Sequence, residues 1–341
     1  MQRVRTAVRP GEPTTLERRD EWAVAFFGTW MIGGLFLDGW SHGVNKPETF
    51  FSPWHGVLYS GFAVAVTFIA LRSYLERGRG RAFRMEPLMG LGLITFGAAG
   101  VGDMMWHQVF GIEVDTAALL SPTHLLLMTG GVLMASAPLR AALRDDDPTR
   151  TSNLRTFLPT IASLTLTVAL LSFFTMYGSA FTLIAPTSDE RMLVHAVMSV
   201  LFTNALLLGA MVLVLRRFAP PSGTFTLLFG VVAFAMTGLE GFDQILLVLP
   251  ALLGGLVADV LASRARLTVS AAVVPAVLWT AFFGVLRVRY DFSMAAELWT
   301  GAVFMSVLTG IGLAVLADYV GTSSERATAS RSAGLSPSAV S

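Results

Sequence analysis

Apolar residues come in long runs along this chain, and polar residues collect in short clusters between them. The runs fall at 22–40, 54–72, 86–106, 122–140, 157–177, 191–215, 224–240, 244–262, 269–287 and 295–318. A bilayer core about 30 Å thick takes about 20 residues of helix, so the pattern predicts an all-α, polytopic transmembrane helix bundle of about ten spans. The stretch 224–262 is interrupted by Gly238-Leu239-Glu240-Gly241-Phe242-Asp243, which reads as a tight external hairpin or a re-entrant break.

Within this pattern one polar unit occurs twice. The first copy is Asp38-Gly39-Trp40-Ser41-His42, a loop, then Ser52-Pro53-Trp54-His55. The second is Asp103-Met104-Met105-Trp106-His107, a loop four residues longer, then Ser121-Pro122-Thr123-His124. The aspartates and the first histidines repeat at an offset of 65 residues, so spans one to four form a duplicated helical hairpin.

Composition supports the membrane reading. Of 341 residues 54% are hydrophobic and 14% charged, roughly half the ~25% charged content of soluble domains, and mean hydropathy is positive. With no cysteine, disulfides, iron–sulfur clusters, thiolate zinc sites and cysteine nucleophiles are excluded. The net charge of +1 identifies no partner, but its distribution orients the chain. Placing the N-terminus inside puts 20 of the 24 Lys and Arg on the cytoplasmic side, leaving Lys46, Arg191, Arg287 and Arg289 outside. The expected organisation is a basic cytoplasmic tail at 1–21, the duplicated hairpins at 22–140, the remaining bundle at 141–320 and a disordered tail at 321–341. The location is the bacterial inner membrane, with both termini cytoplasmic. All five histidines then lie toward the external face, together with Asp38, Asp103, Glu240 and Asp243.

Residues four apart share a helix face, so Asp38 with His42 and Asp103 with His107 can converge. Ser52 and Ser121 read as N-caps followed by proline at the first helical position, which puts His55 and His124 at the third. There the positive end of the helix dipole favours neutral imidazole, the form that ligates metals. A carboxylate at a helix C-terminus near hydrocarbon calls for an offsetting cation or strong donor. Each unit therefore offers two imidazoles and one carboxylate, a set for copper, non-haem iron or zinc. The candidate metal ligands are Asp38, His42, His55, Asp103, His107 and His124, holding one ion per unit or building one dinuclear site. Trp40, Trp54 and Trp106 would shield it, and Met104, Met105 and Met128 offer thioethers. Two competing readings are an Asp–His network that only pins helix ends and haem b ligated by facing histidines.

His195, Glu240 and Asp243 are accessory candidates. His195 follows a Thr187-Ser188-Asp189-Glu190 cap and reads first as a satisfied contact within the bundle. Glu48, Glu113 and Asp115 read as solvated loop residues, and Asp259 and Asp318 as exposed span ends.

The spacing Asp38-x3-His42-x12-His55 resembles the membrane copper site in the C subunit of particulate methane and ammonia monooxygenases, whose motif is Asp-x3-His-x12-His on two consecutive transmembrane helices near the external face. The resemblance covers about 18 of the 341 residues. It implies copper held by Asp38, His42 and His55, and an oxidoreductase of monooxygenase-like chemistry acting on a small lipid-soluble substrate. The second unit departs from the motif, with sixteen residues between its histidines, and ten spans exceed that subunit's expected number. The leading expectation is a copper-dependent oxidation or metal handling for an oxidase, in the bilayer, with partner membrane subunits or as a homo-oligomer and without nucleic acid. The alternatives are a metal or small-solute transporter and a structural or haem-binding membrane protein.

Overall fold

Helix starts follow the caps written in the sequence. In the computed structural model, Ser52 and Ser121 accept the backbone N–H groups of His55 and His124, and each is followed by proline in the first helical turn. The structure describes residues 18–43, 52–80, 85–111, 115–145, 147–182, 190–290, 292 and 294–334. Lys46, Glu48, Glu113, the 187–189 part of the cap before His195, and the ends 1–17 and 335–341 lie outside the described residues, as do the side chains of Asp115 and Glu190.

The fold is all-α. Two compact units divide the chain, Met1–Met176 with Gly238–Asp243, and Tyr177–Thr237 with Gln244–Ser341. The first holds α1 (Arg18–Gly43), α2 (Pro53–Gly78), α3 (Pro87–Phe110), the short α4 (Asp115–Leu120), α5 (Pro122–Ala135), α6 (Ala137–Arg144) and α7 (Leu154–Phe174). Helices α1 and α2 pack as one hairpin and α3 and α5 as another, with α7 packed on α1 and α5. Both hairpins close on a glycine. A Cβ at Gly61 would stand 2.8 Å from the Met31 nitrogen, and one at Gly130 would stand 2.7 Å from the Phe96 nitrogen. Backbones approach this closely only where the side chain is absent, the usual way helices associate in lipid.

The second unit holds α8 (Glu190–Arg217), most of α9 (Thr224–Leu239), α10 (Val248–Ala262), α11 (Leu267–Arg289) and α12 (Ala296–Gly334). Two buried polar side chains here, Asn204 and Asp259, are satisfied across helices. Asn204 accepts from Trp279 at 2.9 Å and donates to the Ser306 carbonyl at 3.1 Å, tying α8 to α11 and α12. Asp259 is buried rather than exposed, and its carboxylate caps α9 through the Phe225 and Thr226 N–H groups and the Thr226 hydroxyl.

Among the described residues, eight helices are long and apolar enough to cross a membrane, or nine if a bent pair counts as one span, where the sequence suggested ten. The difference arises at 224–240. Helix α9 has 16 residues, about 24 Å at 1.5 Å per residue, short of the hydrocarbon thickness. The bent pair is α5 and α6, which meet at 40°. Pro138 cannot donate to the preceding turn there, and Arg140 hydrogen-bonds the Leu133 carbonyl at 2.9 Å and Ser136 Oγ at 2.5 Å. Many large apolar side chains face outward, among them Phe26, Leu71, Ile94, Val109, Phe234 and Phe304. Lipid is the environment that accepts them. At the C-terminus, α12 continues to Gly334.

Candidate metal centre

Helix direction determines where the chemistry collects in the first unit. Asp38 and Asp103 lie near the C-terminal ends of α1 and α3, while His55 and His124 lie in the first turns of α2 and α5. In an antiparallel hairpin these ends coincide. In the second hairpin, Asp103 is 1% exposed and both of its oxygens face imidazoles. His124 Nε2 lies 3.2 Å from Oδ1 and His107 Nε2 lies 3.4 Å from Oδ2. The Thr123 hydroxyl also donates to Oδ1, at 2.8 Å.

The far side of each imidazole fixes its tautomer. His107 Nδ1 faces the Gly111 carbonyl at 3.2 Å, and His124 Nδ1 faces the Ala118 carbonyl, with Ser121 Oγ at 2.9 Å. A carbonyl only accepts, so each Nδ1 carries the proton, and in the neutral ring each Nε2 presents a lone pair to Asp103. Gly111 reaches its place by ending α3 at φ +82°, a conformation that favours glycine. Ala118 is supplied by α4, which the longer loop of the second unit contains.

Two imidazole lone pairs aimed at two carboxylate oxygens repel one another unless positive charge lies among them. Two sources are available: protons, giving imidazolium–carboxylate pairs, or a metal ion. The ligand atoms of Asp103, His107 and His124 all lie within 4.8 Å of one another, and this cluster could hold a metal ion. Ligands about 2.0–2.2 Å from a tetrahedral centre stand about 3.3–3.6 Å apart, close to the separations found here. An imidazole whose other nitrogen donates to a carbonyl is the usual arrangement around metals.

The first hairpin is a looser version. Asp38 Oδ2 lies 3.4 Å from His55 Nε2 and 3.6 Å from His42 Nε2, but these three groups do not close to the mutual distance reached by the second set. The His42 side chain is 37% exposed, against 8% for its counterpart His107. Trp40 and Trp54 meet edge to face at 5.9 Å, and Trp106 lies against Phe110. Met105 is turned outward, so its thioether does not join the second set.

A cavity joins the two hairpins. Asp38, His55, Asp103 and His124 line it together with Tyr59, and the rest of its wall is apolar, including Met31, Leu58, Phe96 and Leu127. His42 and His107 are not in that wall.

No family model, curated protein or solved structure matches the chain.

The site therefore has to be understood from its own geometry. Tyr59 and Thr123 had not been picked out from the sequence. Tyr59 stands four residues after His55 and so shares its helix face, and Gly100 on α3 leaves the ring its room, since a Cβ there would lie 2.9 Å from it. Thr123 sits inside the repeated Ser-Pro-x-His, where the first copy has Trp54. The accessory candidates lie elsewhere. His195 belongs to the second unit and donates from Nε2 to the Tyr177 carbonyl at 2.8 Å. Glu240 and Asp243 are exposed in the 238–243 turn, which packs with the first unit where Leu239 meets Gly39 and Gly43 of α1.

Proposed function

We propose that the chain is a bacterial inner-membrane metalloprotein that binds copper at Asp103, His107 and His124 and serves copper-dependent oxidation or the supply of metal to an oxidase. The observation that carries this reading is the pair of imidazoles whose Nδ1 protons are taken by main-chain carbonyls, so that both Nε2 lone pairs meet one buried carboxylate. Copper is favoured over iron and zinc for two reasons. Nitrogen and oxygen sites bind Cu(II) most tightly among the first-row divalent ions, and the first unit carries the spacing that resembles a membrane copper motif.

The hairpins are an internal duplication in this reading. Gly61 with Met31 and Gly130 with Phe96 make the same contact at the offsets, 69 and 65, that relate the histidines and aspartates. Asp38, His42 and His55 are the more open copy, on the same external face. The arginine distribution supports reading that face as external and both termini as cytoplasmic.

The test is metal analysis of purified wild type beside Asp103→Ala and His107→Ala. Wild type is expected to retain about one copper per chain after dialysis, and both variants to lose it. Equal metal in all three would leave an imidazolium–carboxylate pair that only braces helix ends, and a haem absorption band in wild type would replace copper with haem.

A further inference from the structure

Asp38 differs from Asp103 in how its oxygens are used. Oδ2 faces both histidines of its hairpin, whereas Oδ1 is buried and has no hydrogen-bond partner among the described residues. The side chain is 9% exposed and belongs to the wall of the shared cavity. Asp103 has no such spare atom, because Thr123 and the two histidines engage both of its oxygens. A buried carboxylate oxygen with no donor is costly, by more than an ordinary lost hydrogen bond. Something in the cavity that donates to it would remove that cost.

The rest of the wall defines the donor's body. Met31, Ile32, Leu35, Leu58, Phe96 and Leu127 are apolar, and Phe174 and Leu170 close the far side. Such a wall, apolar apart from Asp38, His55, Tyr59, Asp103 and His124, with an unsatisfied acceptor at Asp38 Oδ1, selects an apolar molecule carrying a strong donor.

We infer that the cavity binds a small lipid-soluble molecule bearing an O–H group, whose hydroxyl donates to Asp38 Oδ1 while its apolar body lies between Phe96, Leu58 and Leu127. The two hairpins divide the work: the second holds the metal, and the first presents the hydroxylated ligand beside it. In this form the inference names the substrate class of the proposed centre and rests on that reading for its meaning, although the binding step itself needs no metal.

The probes are 4-propylphenol and 4-propylanisole, nearly alike in shape, of which only the phenol can donate. Their binding is measured by calorimetry on metal-free wild type in detergent and on Asp38→Leu. Wild type is expected to bind the phenol on the order of tenfold more tightly than the ether, since a hydrogen bond to a charged acceptor exceeds a neutral one. Asp38→Leu is expected to bind the two equally. Equal or absent binding of both probes by wild type overturns the inference, and so does a phenol preference that survives Asp38→Leu. If that variant fails to fold, Asp38→Asn, which keeps the shape and loses the charge, must reduce the preference, and an unchanged preference overturns the inference. Because these measurements use metal-free protein, a chain that takes no copper but prefers the phenol separates this proposal from the failure of the metal assignment.

Discussion

At the scale of single residues, the site depends on what stands behind each ligand atom. Thr123 donates to Asp103 Oδ1 from within the cavity end of α5 and is itself buried. Replacing it with valine keeps the volume and removes the donor, so the carboxylate loses the bond that holds its plane toward the two imidazoles. Loss of such a supporting hydrogen bond commonly weakens metal binding by about 10- to 100-fold. Thr123→Val should therefore lower copper affinity in that range in a competition titration, with little change in fold. The candidate ligands were visible in the sequence because i, i+4 spacing and the Ser-Pro-x-His cap are local, and both features are present in the structure. Thr123 and Tyr59 were not visible, since their meaning comes from contacts across helices. The unequal closure of the two copies was equally hidden. It depends on where Ala118 and Gly111 direct their carbonyls.

Elements of the first unit are held at separations that glycine sets. Helix propensity alone makes glycine about 1 kcal/mol worse than alanine inside a helix, so Gly→Ala ought to stabilise. At Gly61 and Gly130 the packing term opposes this, because the added methyl would stand 2.8 and 2.7 Å from a facing backbone nitrogen. Overpacking of this kind costs about 1–3 kcal/mol, so packing wins. Gly61→Ala and Gly130→Ala should each lower the thermal midpoint in detergent, while Gly209→Ala and Gly312→Ala, where nothing lies within 4 Å, should leave it unchanged or raise it. A uniform response of all four would mean that the hairpins do not close on these residues. Element lengths were legible where a run was uninterrupted. They were less so where the end of a run depended on tertiary contacts: Asp259 reaches across from α10 to start α9 at Thr224, and the turn at 238–243 ends it at 16 residues.

Across the first unit as a whole, charge is sorted to the end opposite the histidines. Glu21 takes both nitrogens of Arg150 at 2.7 and 3.0 Å, Asp20 takes Arg72 at 3.1 Å, and Glu86 takes Arg140 at 2.6 and 3.1 Å. The sequence assigned Arg72, Arg140, Arg144 and Arg150 to the cytoplasmic side but gave no sign that buried carboxylates hold them. Asp20 and Glu21 had in fact been assigned to a tail. Glu86 caps α3 and is 3% exposed. Burial by itself raises its pKa, but the hydrogen bonds from Arg140 and the Met89 N–H, with the charges of Arg140 and Arg144, outweigh burial and hold the carboxyl below its ordinary value. The folded value being the lower, Glu86 contributes stability that is fully present above about pH 4.5, the unperturbed value, and is lost as pH falls through the folded value. Thermal unfolding of wild type in detergent should accordingly show a midpoint that falls on acidification below pH 4.5. Arg140→Ala removes the main group that lowers this pKa and leaves a buried carboxylate without its fork, at a cost of about 3–5 kcal/mol near neutrality. In that variant the acid limb should shrink, because protonation now relieves a buried charge where in wild type it breaks a pair. If wild type and Arg140→Ala lose stability in parallel on acidification, the pair does not govern the acid response of the unit.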